Sequence, residues 1–318
     1  MSADPASPPM VTLIVGCTGC GKSSLGIELA RRTGGEIISI DSMKVYRRMD
    51  IGTAKPPVDI RRDVRHHLID VAEPGEEFSV AQYVEQADRA IVDIHRRGRP
   101  VFVVGGTPLY VKALTEGLFD GPGADPAVRR RLEAEADSAG QPSLYDRLRS
   151  VDPAAAHRIH PNDRRRIIRA LEVFELTGTP ISALQSQWDR RRQRYDHRMI
   201  GLRRQREDQN HRTNERVRRM IDAGLVDEVR ALLSEADPPG NTARQALGYA
   251  EIIEHLEGRC SLAEAVEMIR INTRRFAKSQ RTWFKRFVDT DWIDLAPDAA
   301  ADRIADALME RYGTIWSP

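Results

Sequence analysis

The sequence predicts an α/β fold, a parallel sheet built around a phosphate-binding loop and interrupted by a helical insertion. Three observations carry that expectation. Gly16-Cys17-Thr18-Gly19-Cys20-Gly21-Lys22-Ser23 reads G-x-x-x-x-G-K-[ST], between an apolar run at Val11–Val15 and a helix-like segment from Ser24 to Arg32. Beyond it, β-branched apolar runs alternate with helix-like segments as far as Asp120. There the alternation stops at Gly121-Pro122-Gly123-Ala124-Asp125-Pro126, a linker-like break followed by helical signals alone. The expected organisation is a disordered leader over 1–9, a core over 10–120 and 196–318 that ends in helices, and a helical insertion over 121–195.

The phosphate loop comes first because its chemistry is the most specific. Gly19 and Gly21 let successive backbone N–H groups turn inward, and the helix N-terminus adds partial positive charge. Lys22 supplies a mobile cation, and the Ser23 hydroxyl suits Mg²⁺ or a bridging oxygen. Such a loop recognises a polyphosphate, not a nucleoside. Glu36–Ile40 is the next strand and delivers Asp41-Ser42 at its carboxyl end, where ligands of open α/β sheets sit. Asp followed by Ser is also good helix-capping chemistry.

A polar loop, Lys44 to Pro56, leads to His66–Val71, read as a short buried strand. Adjacent histidines in a strand point to opposite faces, which argues against one metal site there. Ser79–Arg97 is helical with Ser79 as cap, and Pro100–Val104 is an apolar strand delivering Thr107 after Gly105-Gly106. Helices are expected at Val128–Ala136, Ser143–Arg149, Asp152–Ile159, Asn162–Thr177 and Pro180–Gln187, and the strand His197–Leu202 returns the chain to the sheet. The helix Glu207–Ala223 presents Arg212 and Arg216 on one face, either as a ligand clamp or as solvated partners of nearby acids. Helices Leu225–Glu235, Leu247–Glu257 and Leu262–Phe287, an edge strand Trp292–Leu295 and an amphipathic helix Asp298–Tyr312 complete the chain.

Composition bounds the function. Hydrophobic residues make up 41% and charged residues 30% of 318, and no apolar run is long enough to span a bilayer. Met1–Pro9 lacks the basic and apolar regions of a secretion signal, so a cytoplasmic location is expected. A formal charge of +2 says nothing about nucleic acid, but arginines concentrate in Arg158–Arg169 and Arg190–Arg206, flanking one candidate domain. Each run alone reads as a solvated helix face; together they favour a nucleic-acid phosphate track. Cys17 and Cys20 form a C-x-x-C without a second pair, inside the phosphate loop, which suits small residues at permissive positions better than zinc or thioredoxin-like chemistry. The loop's N–H dipoles and Lys22 would lower the thiol pKa, and a Cys17–Cys20 disulfide that blocks the phosphate cradle is the corresponding expectation.

Beyond the P-loop, the block from Asp41 to Pro56 (D-S-x-x-x-Y-x-x-M-D-I-G-T-A-K-P), Val104–Tyr110, Ile159–Asp163, Arg169–Val173, Gln245–Tyr249 and the Thr273–Trp283 stretch resemble the tRNA dimethylallyltransferase family across nearly the whole chain. The resemblance implies a P-loop kinase-like core with a helical insertion gripping the anticodon arm. It implies transfer of a dimethylallyl group from dimethylallyl diphosphate to N6 of adenosine 37 in tRNA, with Mg²⁺. By resemblance, Gly16, Thr18, Gly19, Cys20, Gly21, Lys22 and Ser23 hold the diphosphate, with Ser23 on the metal. Asp41 is the implied general base, and Arg216, with Arg212 as second choice, clamps the leaving group. Thr107 holds the base or the bridging oxygen. The implied RNA contacts are Asp41, Ser42, Met43 and Lys44, then Arg129, Arg165, Arg166, Ile167, Ile168 and Arg169, and finally Gln245, Ala246, Leu247, Gly248, Tyr249 and Ala250. The target base would be flipped toward the donor. The enzyme is expected to act as a monomer.

Two segments depart from the family pattern. Family P-loops usually carry Pro and Ala or Ser where this chain has Cys17, Gly19 and Cys20, and A-K-R-Q-x-T-W becomes Ala277-Lys278-Ser279-Gln280-Arg281-Thr282-Trp283, which moves a charge from 279 to 281. Three other readings stay open: an adenylate isopentenyltransferase, a P-loop small-molecule kinase, and an RNA-binding P-loop protein without transfer activity.

Overall fold

The computed structural model describes residues 9–118, 121–185 and 194–316. Residues 1–8 of the expected leader, Asp120, the end of the Pro180–Gln187 helix and the start of the second arginine run lie outside the described residues. The chain divides into two units, Met1–Thr115 with Arg194–Pro318, and Glu116–Gln193.

The first unit runs β1 (Met10–Gly16), α1 (Lys22–Thr33), β2 (Glu36–Ile40), α2 (Val58–Asp63), β3 (His66–His67), α3 (Val80–Arg96), β4 (Val101–Gly105) and α4 (Pro108–Glu116), the last reaching one residue past the division. The second holds α5 (Pro126–Ala139), α6 (Gln141–Val151), α7 (Pro153–Arg158), α8 (Arg164–Thr177) and α9 (Ile181–Gln185). The first then resumes with β5 (Asp196–Arg204), α10 (Arg206–Asp222), α11 (Leu225–Leu233), α12 (Asn241–Arg244), α13 (Tyr249–Leu256), α14 (Leu262–Phe284), β6 (Asp291–Leu295) and α15 (Ala301–Trp316).

The six described strands form one sheet in the order β3-β2-β4-β1-β5-β6, and every pairing is parallel. β1, β2 and β4 are buried along almost their whole length, the near-continuous apolar run of a sheet covered on both faces. Parallel pairing brings all carboxyl ends to one edge, so the turn after β1, Asp41 after β2 and Thr107 after β4 share that edge. α1 lies close on the sheet because Gly26 has no side chain; a Cβ there would sit 2.6 Å from Val104 Cγ2. α15 covers the same layer, with Trp316 against Phe102 and its Nε1–H donating to Thr12 Oγ1 at 2.8 Å.

Local chemistry accounts for most boundaries. Ser79 caps α3 in a capping box with Gln82, and Gly34, at φ 66°, ends α1. Two expectations fail for backbone reasons. The strand expected over His66–Val71 is only His66–His67, because Leu68 and Asp70 adopt φ of 60° and 59° and leave the extended line. The helix expected from Leu247 begins at Tyr249, since Gly248 turns the chain at φ 91°. β6 is the edge strand the pattern predicts.

In the second unit, α5 to α9 enclose Leu132, Leu144, Leu148, Ile167 and Leu171. Asp125, Asp152 and Asp163 cap α5, α7 and α8 through their side chains.

Candidate active site at the carboxyl edge of the sheet

The phosphate loop requires its glycines. Gly16, Gly19 and Gly21 have φ of 144°, 79° and 101°, and a Cβ on Gly16 would come within 2.6 Å of the Leu202 carbonyl. Gly21 caps α1 with no side-chain acceptor, which leaves the first-turn amides of that helix for a ligand. Lys22 folds over the loop, donating from Nζ to the Cys17 carbonyl at 2.7 Å.

The loop is braced from afar by residues that motif reading missed. The Thr18 amide donates to Gln280 Oε1 (2.8 Å), while Gln209 Nε2 donates to the Thr18 carbonyl (2.9 Å). Gln280 Nε2 in turn donates to the Gly106 carbonyl at 2.6 Å, joining the loop to the turn after β4. Arg281 donates to Gln209 Oε1 at 2.6 Å, so the charge displaced to position 281 orients a loop-bracing amide. The available signal was polar residues at core-facing helix positions: Gln209 and Gln280 are 3% and 4% exposed.

Asp41 has both features that the sequence left open. Its Oδ1 accepts from the amides of Met43 (2.9 Å) and Lys44 (3.3 Å), a local cap. Its Oδ2 has no hydrogen-bond partner among the described residues. Thr107 Oγ1 accepts from the Ser42 amide at 3.1 Å and ties the ends of β4 and β2 together.

The two arginines of α10 part company. Arg212 is committed to Asp208 (3.1 Å) and donates to the Pro297 carbonyl (2.6 Å). Arg216 makes only two long contacts, to Thr18 Oγ1 and the Thr53 carbonyl, each 3.5 Å, and no ion pair among the described residues. Burial pushes the half-buried Arg216 guanidinium down and the Asp41 carboxylate opposes that fall, with no ion pair formed among the described residues.

Lys44 belongs to the same charge cluster. Burial pushes its amine down to about 8 from 10.5; Asp41 opposes that fall, while Arg216, Lys22 and Lys55 add to it. Since the folded value lies below the unfolded one, the unfolded chain holds more protons in that window, and stability attributable to Lys44 rises with pH from about 8 to 10.5 and is lost as pH falls through about 8. Denaturant midpoints across this range should therefore climb more in the native protein than in Lys44→Met. Parallel profiles for the two would refute the burial of that amine.

The cysteines overturn the redox expectation. Cys17 and Cys20 are 7% and 1% exposed, and the Cys17 thiol donates to the Ala277 carbonyl at 3.4 Å. Burial pushes the Cys17 thiol up, with Cys20 adding to the rise, and Lys22 and Arg281 oppose this without reversing it. In the native protein at neutral pH, a thiol reagent should label half-buried Cys260 well before Cys17 or Cys20, which become reactive on unfolding. Mapping labelled peptides against time measures this, and equal rates at all three would contradict it.

The long Asp41–Pro56 block is largely a scaffold. Lys55, 9% exposed, donates to the Tyr46 carbonyl (2.5 Å), Asp50 (2.7 Å) and Asp70 (2.6 Å). Glu228 Oε2 accepts from the amides of Asp50 (3.0 Å) and Ile51 (2.9 Å), and Tyr249 donates to its Oε1 at 2.6 Å. Gly52 lies under the Tyr249 ring, where a Cβ would approach to 2.3 Å. Within Gln245–Ala250, Ala246 and Tyr249 are buried, Leu247 and Ala250 half-buried, and Gln245 exposed.

In the helical unit, the expected RNA-contact residues divide by exposure. Arg129 and Arg169 neutralise Glu172, a fully buried carboxylate, at 2.9 and 2.6 Å. Ile167 and Ile168 are core, whereas Arg165 and Arg166 are exposed, Arg166 loosely paired with Asp163 at 3.3 Å.

The donor set at the sheet edge fits Mg²⁺. Ser23 offers an exposed hydroxyl in the first turn of α1, a hard oxygen ligand, and Mg²⁺ takes few protein ligands beside phosphate oxygens and water. No group of three His, Cys, Asp or Glu side chains among the described residues forms a separate cage.

Comparison with known proteins supplies the remaining constraint. The IPP transferase family model matches residues 44–287. A tRNA dimethylallyltransferase of Geobacter metallireducens is 50% identical over 89% of this chain and 92% of that protein, and one of Geobacter sulfurreducens is 45% identical over 98% and 100%. The crystal structure of the full-length tRNA isopentenylpyrophosphate transferase of Bacillus halodurans is 40% identical with a TM-score of 0.71, covering 97% of both chains. A eukaryotic dimethylallyltransferase acting on tRNA is 27% identical with a TM-score of 0.77, over 98% of this chain and 80% of that one.

Proposed function

The chain belongs to the IPP transferase family, and we propose that it is a tRNA dimethylallyltransferase, moving the dimethylallyl group of dimethylallyl diphosphate to N6 of adenosine 37 and releasing diphosphate. The observation that carries this reading is Arg216, a cation in no close ion pair among the described residues, beside a phosphate loop on the edge where Asp41 keeps one carboxylate oxygen free of hydrogen bonds.

The donor diphosphate occupies the loop amides, with Lys22 turning from the Cys17 carbonyl to its oxygens. As the allylic C–O bond breaks, negative charge grows on the departing diphosphate, and Lys22, the α1 N-terminus and Arg216 stabilise it. Asp41 Oδ2 takes the proton from N6 as the C–N bond forms, while Oδ1 stays tied to the Met43 and Lys44 amides. Thr107 fixes the Asp41-Ser42 turn. The Ser23 hydroxyl would hold Mg²⁺, which would supply neutralisation of the charge on the leaving diphosphate. Arg212, held by Asp208, positions α10 against the Pro297 segment.

Exposed Arg165, Arg166 and Gln245 suit direct contact with the anticodon stem-loop. Arg129 and Arg169 hold α8 in place through Glu172. No helix among the described residues is long and apolar enough to cross a membrane. The test is incubation with tRNA, dimethylallyl diphosphate and Mg²⁺, followed by nucleoside analysis, with free AMP as a parallel acceptor. Isopentenyladenosine in tRNA alone upholds the proposal; prenylated AMP, or no product in tRNA, overturns it.

A further inference from the structure

A cation-rich cavity lies away from this site, at the amino edge of the same sheet. Its volume is about 710 Å³, within the range of small-molecule sites. It sits where α1, α2 and α3 end, next to Glu36, the first residue of β2. Arg31, Arg62, Arg65, Arg97 and Arg99 line it, against the carboxylates of Glu36 and Asp63.

The arginines are unequally satisfied. Arg31 pairs with Asp63 at 2.6 Å, and Arg97 is bonded to both Glu36 and Asp93. Arg65 and Arg99 reach Glu36 only at 3.9 and 3.7 Å, beyond hydrogen-bond distance, and Arg99 donates one long bond to the Gly34 carbonyl at 3.4 Å. Exposed Arg62 makes no ion pair or hydrogen bond among the described residues. Glu36 is 1% exposed, and His67 Nε2 also meets it at 2.7 Å, so its position is fixed from several sides. Burial pushes the Glu36 carboxyl up, yet Arg97 and His67 hold it below its ordinary value, so it is ionised and draws guanidinium groups around itself.

Three converging helix C-termini explain why cations gather here, since the carbonyl ends of helices favour positive charge. They do not account for the surplus of guanidinium donors facing open space. A wall of guanidinium groups with few apolar side chains selects a small, multiply charged ligand rather than an apolar one, and the planar guanidinium fork matches phosphate oxygens in pairs.

We propose that this cavity is a second anion site that takes an oligophosphate chain, inorganic or carried by a nucleotide, independently of the P-loop. The proposal goes beyond the transferase reading and does not depend on it.

Calorimetric titration of the full chain with inorganic tripolyphosphate, and separately with ATP, tests it. Two sites are expected in the native protein. The Arg62→Ala/Arg65→Ala double variant should weaken one of them roughly tenfold or more and leave the other unchanged. Lys22→Ala should do the reverse, so failure of the P-loop assignment is read separately. Binding of tripolyphosphate identifies the phosphate chain as sufficient; binding of ATP alone identifies a nucleotide, and in either case loss in the double variant upholds the site. Both substituted arginines are exposed and lack close partners, and an unchanged circular dichroism melt verifies the fold. A single site in the native protein, abolished by Lys22→Ala and unaffected by the double variant, would overturn the proposal.

Discussion

Asp41→Asn is expected to lower single-turnover transfer to an anticodon stem-loop by on the order of 10²–10⁴ while leaving the protein folded. The geometry makes this substitution unusually clean. Asn keeps a carbonyl oxygen in the place of Oδ1, which accepts from the Met43 and Lys44 amides, so the local cap survives. It replaces the free Oδ2 with an amide that donates and cannot accept a proton. Donor and RNA affinities should change far less than the rate, because proton acceptance matters mainly in the transition state. If Asp41 were only a cap, the Asn variant would turn over normally, and that result would remove it from the mechanism.

Lys22→Ala is expected to reduce kcat/KM for dimethylallyl diphosphate by roughly 10²–10³, comparable to losing one preorganised donor to a developing anion. RNA affinity should remain nearly native, since the Lys22 amine lies over the loop, on the Cys17 carbonyl, where the proposed donor diphosphate would sit. The loop should keep its shape without it: Gln280 and Gln209 hold both sides of the Thr18 peptide independently of the lysine. Filter binding of tRNA and steady-state kinetics separate the two effects. An equally steep loss of RNA binding would mean that the loop faces the nucleic acid instead of the donor.

Much of the fold was legible because its codes are local. The P-loop declared itself through glycine spacing and its strand–turn–helix context, and β2 and β4 through short apolar runs that end in Asp41 and Thr107. Parallel pairing then requires those carboxyl ends to meet at one edge. Where local codes were silent, the expectations slipped: left-handed Leu68 and Asp70 cut β3 short, and Gly248 delayed the start of α13.

The sequence by itself determined the phosphate loop, the sheet-edge delivery of Asp41 and Thr107, and the helical character of the insertion. Only the tertiary structure decided which polar groups are committed to protein partners and which are left without close ones. It separated Arg216 from Arg212, turned the C-x-x-C into buried packing, gave Gln209, Gln280 and Arg281 the task of bracing Thr18, and tied Arg129 and Arg169 to a buried Glu172. The physical reason is range. Helix and strand periods and glycine turns are written within a few neighbouring residues, whereas the state of a charge or an amide depends on partners from distant segments, such as Gln280 on Thr18, that only the folded chain brings together.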